Sequence, residues 1–424
     1  MTAPESASEA PVKRHLLVFD TAYTWKILNE RNIAAIITGR DQGGWFDHVW
    51  TVHPVASLLE PEDSPPRFGR PVVHDLAPRH TFIEGKIGRF AALRRFEKLN
   101  FLLAQLSLFL LLIGIGLRHR FDIVRSEEVY FAGPMAWLFA RLFRKPVLIG
   151  VWGNPGAQRK HTGRPLTPRL FRTVAQEEKV ERFMLHRADV VMIQNEDNRN
   201  YVLSLGIPRE RTALFRVGNI IERHHFIDPA ERPDGNADLE AIGATGDPTI
   251  LVVARLQQVK LIDDVIRAAG VLKERGRFVK VLLAGEGPYR KTLEALAAEL
   301  GVTDRIMFLG DCDQTWLWRV VPKVSMIVSP LTGRAMAEMA LGAAPIVAYD
   351  LDWQGELIET GKTGELVPHL DYVAMADAIE RFLDDPAYAR RMGDAVRART
   401  LEMMDPEAND RMQIEVYRRL IEKS

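Results

Sequence analysis

Short apolar runs alternate with longer stretches of helical spacing along most of the chain. In the first half the runs are His15–Phe19, Ala34–Thr38, Val49–Val52, Ile123–Arg125, Pro146–Val151, Val190–Gln194 and Thr212–Arg216, with helices such as Pro134–Phe143 and Gln176–Arg187 between them. In the second half strands are expected at Ile250–Val253, Lys280–Ala284, Ile306–Leu309, Ser325–Ser329 and Ile346–Ala348. Helices are expected there at Ile262–Glu274, Arg290–Leu300, Gln314–Val320 and Gly333–Leu341. This alternation is the signature of parallel α/β sheets. The fold class predicted is α/β, with two doubly wound, Rossmann-like parallel-sheet domains. Pro54–Arg79 holds six prolines and no period, so it reads as a surface loop.

Domain limits follow from the same pattern. Residues 1–13 are small, polar and acidic, and read as a disordered tail rather than a signal peptide. Residues 14–226 form the first domain and 249–405 the second. Residues 227–248, rich in Pro, Gly and acidic residues, are expected to link them. The final segment, 406–424, has helical spacing at Met412, Ile414, Val416, Tyr417, Leu420 and Ile421, and is assigned to the first domain.

At 424 residues the chain suffices for two domains with separate cores. Lys+Arg and Asp+Glu both number 56, so charge gives no reason to expect a nucleic-acid partner. The single cysteine, Cys312, excludes an intramolecular disulfide and a Cys-based zinc cluster, and fits a reducing compartment. One segment bears on solubility. Phe101–Leu117 runs uncharged between Asn100 and Arg118, but it is shorter than the roughly 20 apolar residues of a usual membrane span. Drawn as a helix, Arg89–Leu99 separates Phe90, Leu93, Phe96 and Leu99 from Arg94, Arg95 and Lys98. Three readings stand for 89–117: a buried helix on the sheet, a peripheral membrane contact, or a span.

Candidate chemistry concentrates in the second half. Val324–Ser329 is an apolar run, Pro330 breaks it, a small-residue helix carrying Glu338 follows, and Pro345–Asp350 is a second run. That is one parallel βαβ unit, whose ligand would lie outside the first strand's carboxyl end, over the helix N-terminus. Ile250–Lys260 places Arg255 and Lys260 just past another strand. Two fixed cations there suit a diphosphate, a solvated surface pair being the bland alternative. Arg334 at a helix start opposes the helix dipole, which points to an anionic ligand nearby. Glu338 needs a partner, either a ribose diol or Arg334 one turn back. Trp353 would stack on a base or sugar, or pack in the core, and Asp352 and Glu356 are candidate acceptors of sugar hydroxyls. Gly43 and Gly44, between Asp41 and Trp45, either contact an acceptor or simply turn the chain. His53, His161, His186, His224 and His225 lack metal-ligand spacing. The basic run Arg159-Lys160-His161, with Arg164, Arg169 and Arg172, meets anionic lipid or polysaccharide, or is a solvated loop.

The order of motifs VARLQQVKLIDDVIRAA, VKVLLAGEGPYRKTLEALAAELGVTDRIMFLG, AEMALGAAPIVAYD and GELIETGKTGELVP resembles the retaining glycosyltransferases of family 4, with their GT-B architecture. The likeness covers Ile250–Thr400 strongly and Lys145–Phe226 more weakly; earlier, only the strand–helix rhythm agrees. It implies that Arg255 and Lys260 neutralise the donor's diphosphate and that Glu338 grips the ribose. It also implies that Gly333 and Arg334 approach the donor phosphate and sugar, and that Gly285 and Gly287 border the nucleotide cleft. Two departures stand out. The family's first glutamate lies eight positions before the second, where this chain has Pro330. Trp152-Gly153-Asn154-Pro155 follows a first-domain strand where many relatives place a histidine, which makes Asn154 an acceptor-side candidate.

The expected function is therefore transfer of a sugar from a nucleotide-diphosphate sugar to a hydroxyl of a saccharide or lipid-linked acceptor. The second domain would hold the donor across a cleft from the first. No metal or other cofactor is expected, and the likeness implies retention of configuration. Family habit and the 89–117 segment suggest bacterial polysaccharide or lipopolysaccharide assembly, in the cytoplasm at the inner face of its membrane. A sugar-nucleotide epimerase and a non-catalytic nucleotide-sugar-binding partner of a membrane enzyme are the alternatives.

Overall fold

The computed structural model describes residues 13–30, 33–60, 65–216 and 221–423. The first 12 residues of the expected tail lie outside these. Two compact units emerge, one running to Phe215 and taking in the segment from Asn409, the other from Arg216 to Ala408.

The first unit is built on eight strands: β1 (His15–Phe19), β2 (His48–His53), β3 (Val72–Ala77), β4 (His80–Glu84), β5 (Ile123–Ser126), β6 (Val147–Val151), β7 (Val190–Ile193) and β8 (Thr212–Leu214). Their order in the sheet is β3-β4-β2-β1-β5-β6-β7-β8. Leu17 and Phe19 of β1 enter one core, while Leu16 and Val18 enter another on the opposite face, so the central strand is apolar on both sides. The helix Pro406–Glu422 closes the second face. Its Tyr417 is fully buried between Phe46 and Phe215, and its hydroxyl accepts from Arg125 Nη1 at 2.8 Å.

The second unit carries β9 (Thr249–Val253), β10 (Lys280–Ala284), β11 (Ile306–Gly310), β12 (Met326–Ser329), β13 (Ile346–Tyr349) and β14 (Glu365–Val367). The sheet runs β11-β10-β9-β12-β13-β14, and every pair is parallel. Helices Ile262–Glu274 and Tyr372–Asp384 pack on one face and Arg334–Ala340 and Pro386–Met404 on the other.

Four expectations need correction. Ala34–Thr38 is not a strand; Ala35–Thr38 is one helical turn, and only Ile37 reaches the core. Short apolar runs carry no period that separates the two states. Pro54–Arg79 is not all loop, because β3 pairs antiparallel with β4 at the sheet edge, so the first sheet is not wholly parallel. Its edge position leaves Val72 and Val73 exposed, and no apolar run betrays it. Arg89–Leu99 is not one helix. A short turn at Ala91–Leu93 precedes a helix that starts at Glu97. Asn100 holds the approach: its Oδ1 accepts from the backbone N–H of Arg89 and Phe90, and its Nδ2 donates to the Phe90 carbonyl. Lastly, 227–248 is not a free linker but part of the second unit. The buried Arg232 donates to the carbonyls of Ile227, Trp318, His225 and Leu341, and Leu239 and Ala244 join the core.

The helix Glu97–His119 is the least expected element. Asn100, Ala104, Leu108, Leu112 and Gly116, spaced four apart, are buried. Leu99, Leu102, Leu106, Leu110 and Leu117 are exposed, so it is not a core helix wrapped on all sides.

Candidate functional site

In an open parallel sheet, ligands lodge outside the carboxyl ends of the strands where the strand order reverses. In the second unit that point lies between β9 and β12, since the chain builds β10 and β11 to one side and returns to add β12 on the other. Arg255 and Lys260 leave the end of β9, and Pro330–Arg334 leaves the end of β12.

Arg255 is exposed and Lys260 half-buried. Burial, and then the neighbouring Arg255 cation, push the Lys260 ammonium below its usual range, with Asp352 opposing. No ion pair among the described residues involves either cation. Lys260 thus feels one like charge and one opposing carboxylate, Asp352, and with neither cation in an ion pair the two remain open to an incoming anion.

Backbone contacts fix the loop that carries them. Ala254 N–H donates to the Ala284 carbonyl (3.1 Å), Leu256 N–H to Glu286 (2.9 Å) and Tyr289 N–H to Leu256 (3.0 Å). Gly285 sits at φ +144°, and a Cβ there would stand 2.0 Å from the Ala254 carbonyl oxygen. At Gly287 the corresponding distance, to the Leu256 carbonyl oxygen, is 2.3 Å. Both glycines therefore let the β10 turn press against the Arg255 loop.

The β12 loop is held by a residue that the sequence did not single out for this role. Gln354 is buried; its Nε2 donates to the carbonyls of Pro330 (2.8 Å) and Tyr349 (2.9 Å), and its Oε1 accepts from Ser329 Oγ (3.1 Å). The loop at Pro330, lacking the glutamate, is thus tied down through its carbonyl. Gly333 follows at φ 68°, ψ −133°, a backbone conformation suited to glycine.

Glu338 is buried, and its carboxylate meets Arg334 Nε at 2.9 Å. Of the two partners expected for it, the structure supplies the arginine. Burial raises the pKa of Glu338; Arg334 and a hydrogen bond from Gln314 oppose that. Gln314 Oε1 in turn lies 2.8 Å from Nε2 of the buried His225, whose pKa burial lowers to about 4. The neutral imidazole then extends the Arg334–Glu338–Gln314 chain. Neither Gln314 nor His225 had a pattern that announced this, because the network is assembled from separate segments.

Trp353 does not belong to the site's surface. It is buried in the core under the sheet, so it offers no stacking face. Asp352, at φ 56°, turns the chain inward just before it. Glu356 is engaged by Arg216 Nη2 at 3.0 Å.

In the first unit the strand order reverses between β1 and β5. Gly43 and Gly44 lie at the wrong end for this crevice. Asp47, just before β2, bonds to Arg14, just before β1, so the loop sits at the amino ends of parallel strands. There Gln42 Nε2 donates to Gln413 Oε1 (2.9 Å) and Trp45 stacks near Tyr417, which makes the loop a seat for the C-terminal helix. Asn154 does follow the carboxyl end of β6. Its Oδ1 caps helix Pro155–Thr162 through Ala157 N–H (3.0 Å), and its Nδ2 donates to Asp197 (3.0 Å). Arg159 of the basic run is buried with Glu177, Glu181, Tyr130 and Tyr201, hence unavailable to a surface ligand. A groove of about 1600 Å³ opens at the switch point, with Thr21 after β1 and Glu128 after β5 on its wall.

Residues 237–399 match the family model described as glycosyl transferases group 1, and residues 35–218 match the glycosyl transferase 4-like domain. The chain belongs to family 4 of the glycosyltransferases. The 4-like match reaches well upstream of Lys145, where motifs alone had thinned to rhythm. Among curated relatives of this family member, alpha-D-kanosaminyltransferase of Streptomyces kanamyceticus is 34% identical over 159 residues, 37% of this chain and 41% of that protein. D-inositol 3-phosphate glycosyltransferase of Nocardia farcinica is 27% identical over 294 residues, 64% of this chain and 61% of that one. The chain thus spans 41% and 61% of the lengths of these two relatives. Among solved structures, sucrose-phosphate synthase from Thermosynechococcus elongatus superposes with a TM-score of 0.73 at 18% identity, covering 97% of this chain and 100% of that one. Anabaena HepE in complex with UDP gives 0.70 at 16%, covering 95% and 99%. Both show the shared GT-B fold of two parallel-sheet α/β domains.

Proposed function

We propose that the protein transfers a glycosyl group from a nucleotide-diphosphate sugar to a hydroxyl of a saccharide or lipid-linked acceptor. The observation that carries this is the Arg255–Lys260 cation pair, neither member in an ion pair among the described residues, at the switch point of the second sheet. The diphosphate lies against those cations, while the Pro330–Arg334 loop and the Arg334–Glu338 pair flank the nucleotide and sugar. The acceptor oxygen bonds to the anomeric carbon as that carbon's bond to the diphosphate oxygen breaks. The hydroxyl proton leaves with the departing nucleotide or to solvent. Negative charge grows on the leaving diphosphate, where the two cations act, and fixed donors of this kind are worth about 3 kcal/mol each. The protein's own cations do this without a metal or other cofactor, and the anomeric configuration is retained, as in the family.

That the HepE neighbour was solved in complex with UDP supports a nucleotide donor for this chain. The cellular setting we assign is polysaccharide or lipopolysaccharide assembly in the cytoplasm, at the inner face of its membrane. A non-catalytic reading keeps one supporting observation, the proline at the first-glutamate position. Release of nucleotide diphosphate from a panel of nucleotide sugars, with and without saccharide and lipid-linked acceptors, separates the readings. Acceptor-dependent release supports transfer. Acceptor-independent change of the sugar supports an epimerase. Binding without turnover leaves the non-catalytic reading.

A further inference from the structure

We propose that the leucine face of helix Glu97–His119 docks on an anionic phospholipid bilayer and presents the first unit's groove to an acceptor anchored in that bilayer. The acceptor half of this inference rests on the transferase reading above; the docking half does not.

Leu102, Leu106, Leu110 and Leu117 are exposed by 63, 51, 59 and 72%, whereas the row through Ala104, Leu108 and Leu112 is essentially inaccessible. From Leu99 to Leu117 the open row extends roughly 27 Å at about 1.5 Å per residue. The adjoining helix Ala132–Phe143 packs against it through Phe109 and Phe139, 5.8 Å apart, and exposes Leu138 and Leu142 in its turn. Soluble surfaces rarely leave so much leucine in water without a purpose. One side of the helix is built into the core, so it lies along a membrane surface instead of crossing it.

Charge selects the occupant. Arg94, Arg95 and Lys98 precede the leucine row, Arg118 and Arg120 follow it, and no ion pair among the described residues involves any of them. An apolar strip bounded at both ends by free cations matches a layer of acyl chains beneath phosphate head groups. The groove continues the pattern. Phe68 and Phe101 line it beside Arg67, Arg94, Lys98 and Arg169, with Glu97 and Glu128 the two carboxylates among them, so it offers an apolar wall and a rim in which cations outnumber acids. An amphiphile with a phosphate next to its lipid fits both.

The test is co-sedimentation of the full chain with vesicles of phosphatidylcholine alone and with about one quarter phosphatidylglycerol, where anionic lipid strengthens binding by basic residues. The chain should pellet with the anionic vesicles and weaken in about 0.5 M salt, where screening is short-ranged. The variant Leu102→Asp/Leu106→Asp/Leu110→Asp should lose binding by about tenfold or more, since its apolar face is removed. A second variant, Arg94→Glu/Arg95→Glu/Lys98→Glu, should lose the preference for anionic vesicles. No pelleting with either vesicle, or pelleting of both variants equal to that of the wild type, overturns the proposal. So does a dimer in light scattering that the aspartate variant dissociates, since the face would then serve a second copy. Nucleotide-induced thermal stabilisation, read on the same samples, keeps the two claims apart. Stabilisation without vesicle binding sinks docking alone; vesicle binding without stabilisation sinks the donor reading.

Discussion

The crevice of the second unit and the groove of the first occupy equivalent topological positions and both carry cations, yet differ in what surrounds those cations. The second is polar: two cations outside any ion pair among the described residues, two glycines pressed on a carbonyl-lined loop, and a carboxylate network that runs from Arg334 to His225. The first is wide, walled by aromatic and aliphatic side chains, rimmed by cations, and set beside an exposed leucine row. A doubly wound sheet provides the place, and the loops decide the ligand. The polar crevice suits a compact, doubly charged diphosphate, and the amphiphilic groove suits a partner that brings its own apolar body.

The comparison breaks first if the cations are dispensable. Arg255→Ala combined with Lys260→Ala should lower turnover by about 10²–10³-fold while the melting temperature holds or rises, because the pair repels itself when no anion is bound. Unchanged turnover would remove the distinction between the two sites. Next in size is Gly285→Ala, which forces a Cβ toward the Ala254 carbonyl in a left-handed backbone. A loss of about 3 kcal/mol in denaturant unfolding is expected, from strain and overpacking together.

Arg334→Ala sharpens the account of the carboxylate. It leaves Glu338 buried without its cation, and the cost should be about 2 kcal/mol. The sign with pH follows from the raised pKa of Glu338. Protonation of the carboxyl in the folded state relieves the burial, so the variant is weakest above that pKa and recovers as pH falls. Adding Glu338→Gln should remove this pH dependence. A flat pH profile in Arg334→Ala alone would contradict the pairing.

The smallest effect compares acid sensitivity. His48 in the first unit and His225 in the second both have pKa values lowered to about 4, mainly by burial. The unfolded chain takes up those protons near pH 6.5 and the folded chain only near 4, so stability is lost as pH falls through that window. The loss should be about 1–2 kcal/mol for His225 and less for His48, which is more open to solvent. Thermal melts of His225→Gln and His48→Gln between pH 7 and pH 4 read it directly.

The second unit was far more legible in the sequence than the first. Ile262–Glu274, Lys280–Ala284 and Gln314–Val320 have the bounds their patterns indicated; the first two carry continuous apolar faces, and Gln314–Val320 is set off by Asp313 as its N-cap. β3 escaped notice because an edge strand needs no apolar face. Ala34–Thr38 misled because four apolar residues have no period. Among the site residues, Arg255, Lys260, Arg334 and Glu338 were marked by position relative to their strands, and Gly285 and Gly333 by the likeness to the family. Gln354 and Gln314 were not assigned their bridging roles, since a bridging amide depends on which segments meet in space. Trp353 failed as a stacking platform, and Gly43 and Gly44 as acceptor contacts, for a common reason. Residue type suggested a contact, but the turn at Asp352 and the direction of β2 placed them elsewhere.

The central claim is that the second unit binds a nucleotide diphosphate on Arg255 and Lys260. Thermal-shift measurement with UDP, GDP, ADP and CMP, repeated on Arg255→Ala and Glu338→Ala, tests it most directly. A ligand at about 100 times its Kd adds about 2.7 kcal/mol to stability, ample for a visible shift. The account predicts stabilisation by one nucleoside diphosphate above the others, abolished in Arg255→Ala and reduced in Glu338→Ala. No stabilisation by any nucleotide, or equal stabilisation of the wild type and Arg255→Ala, would contradict it.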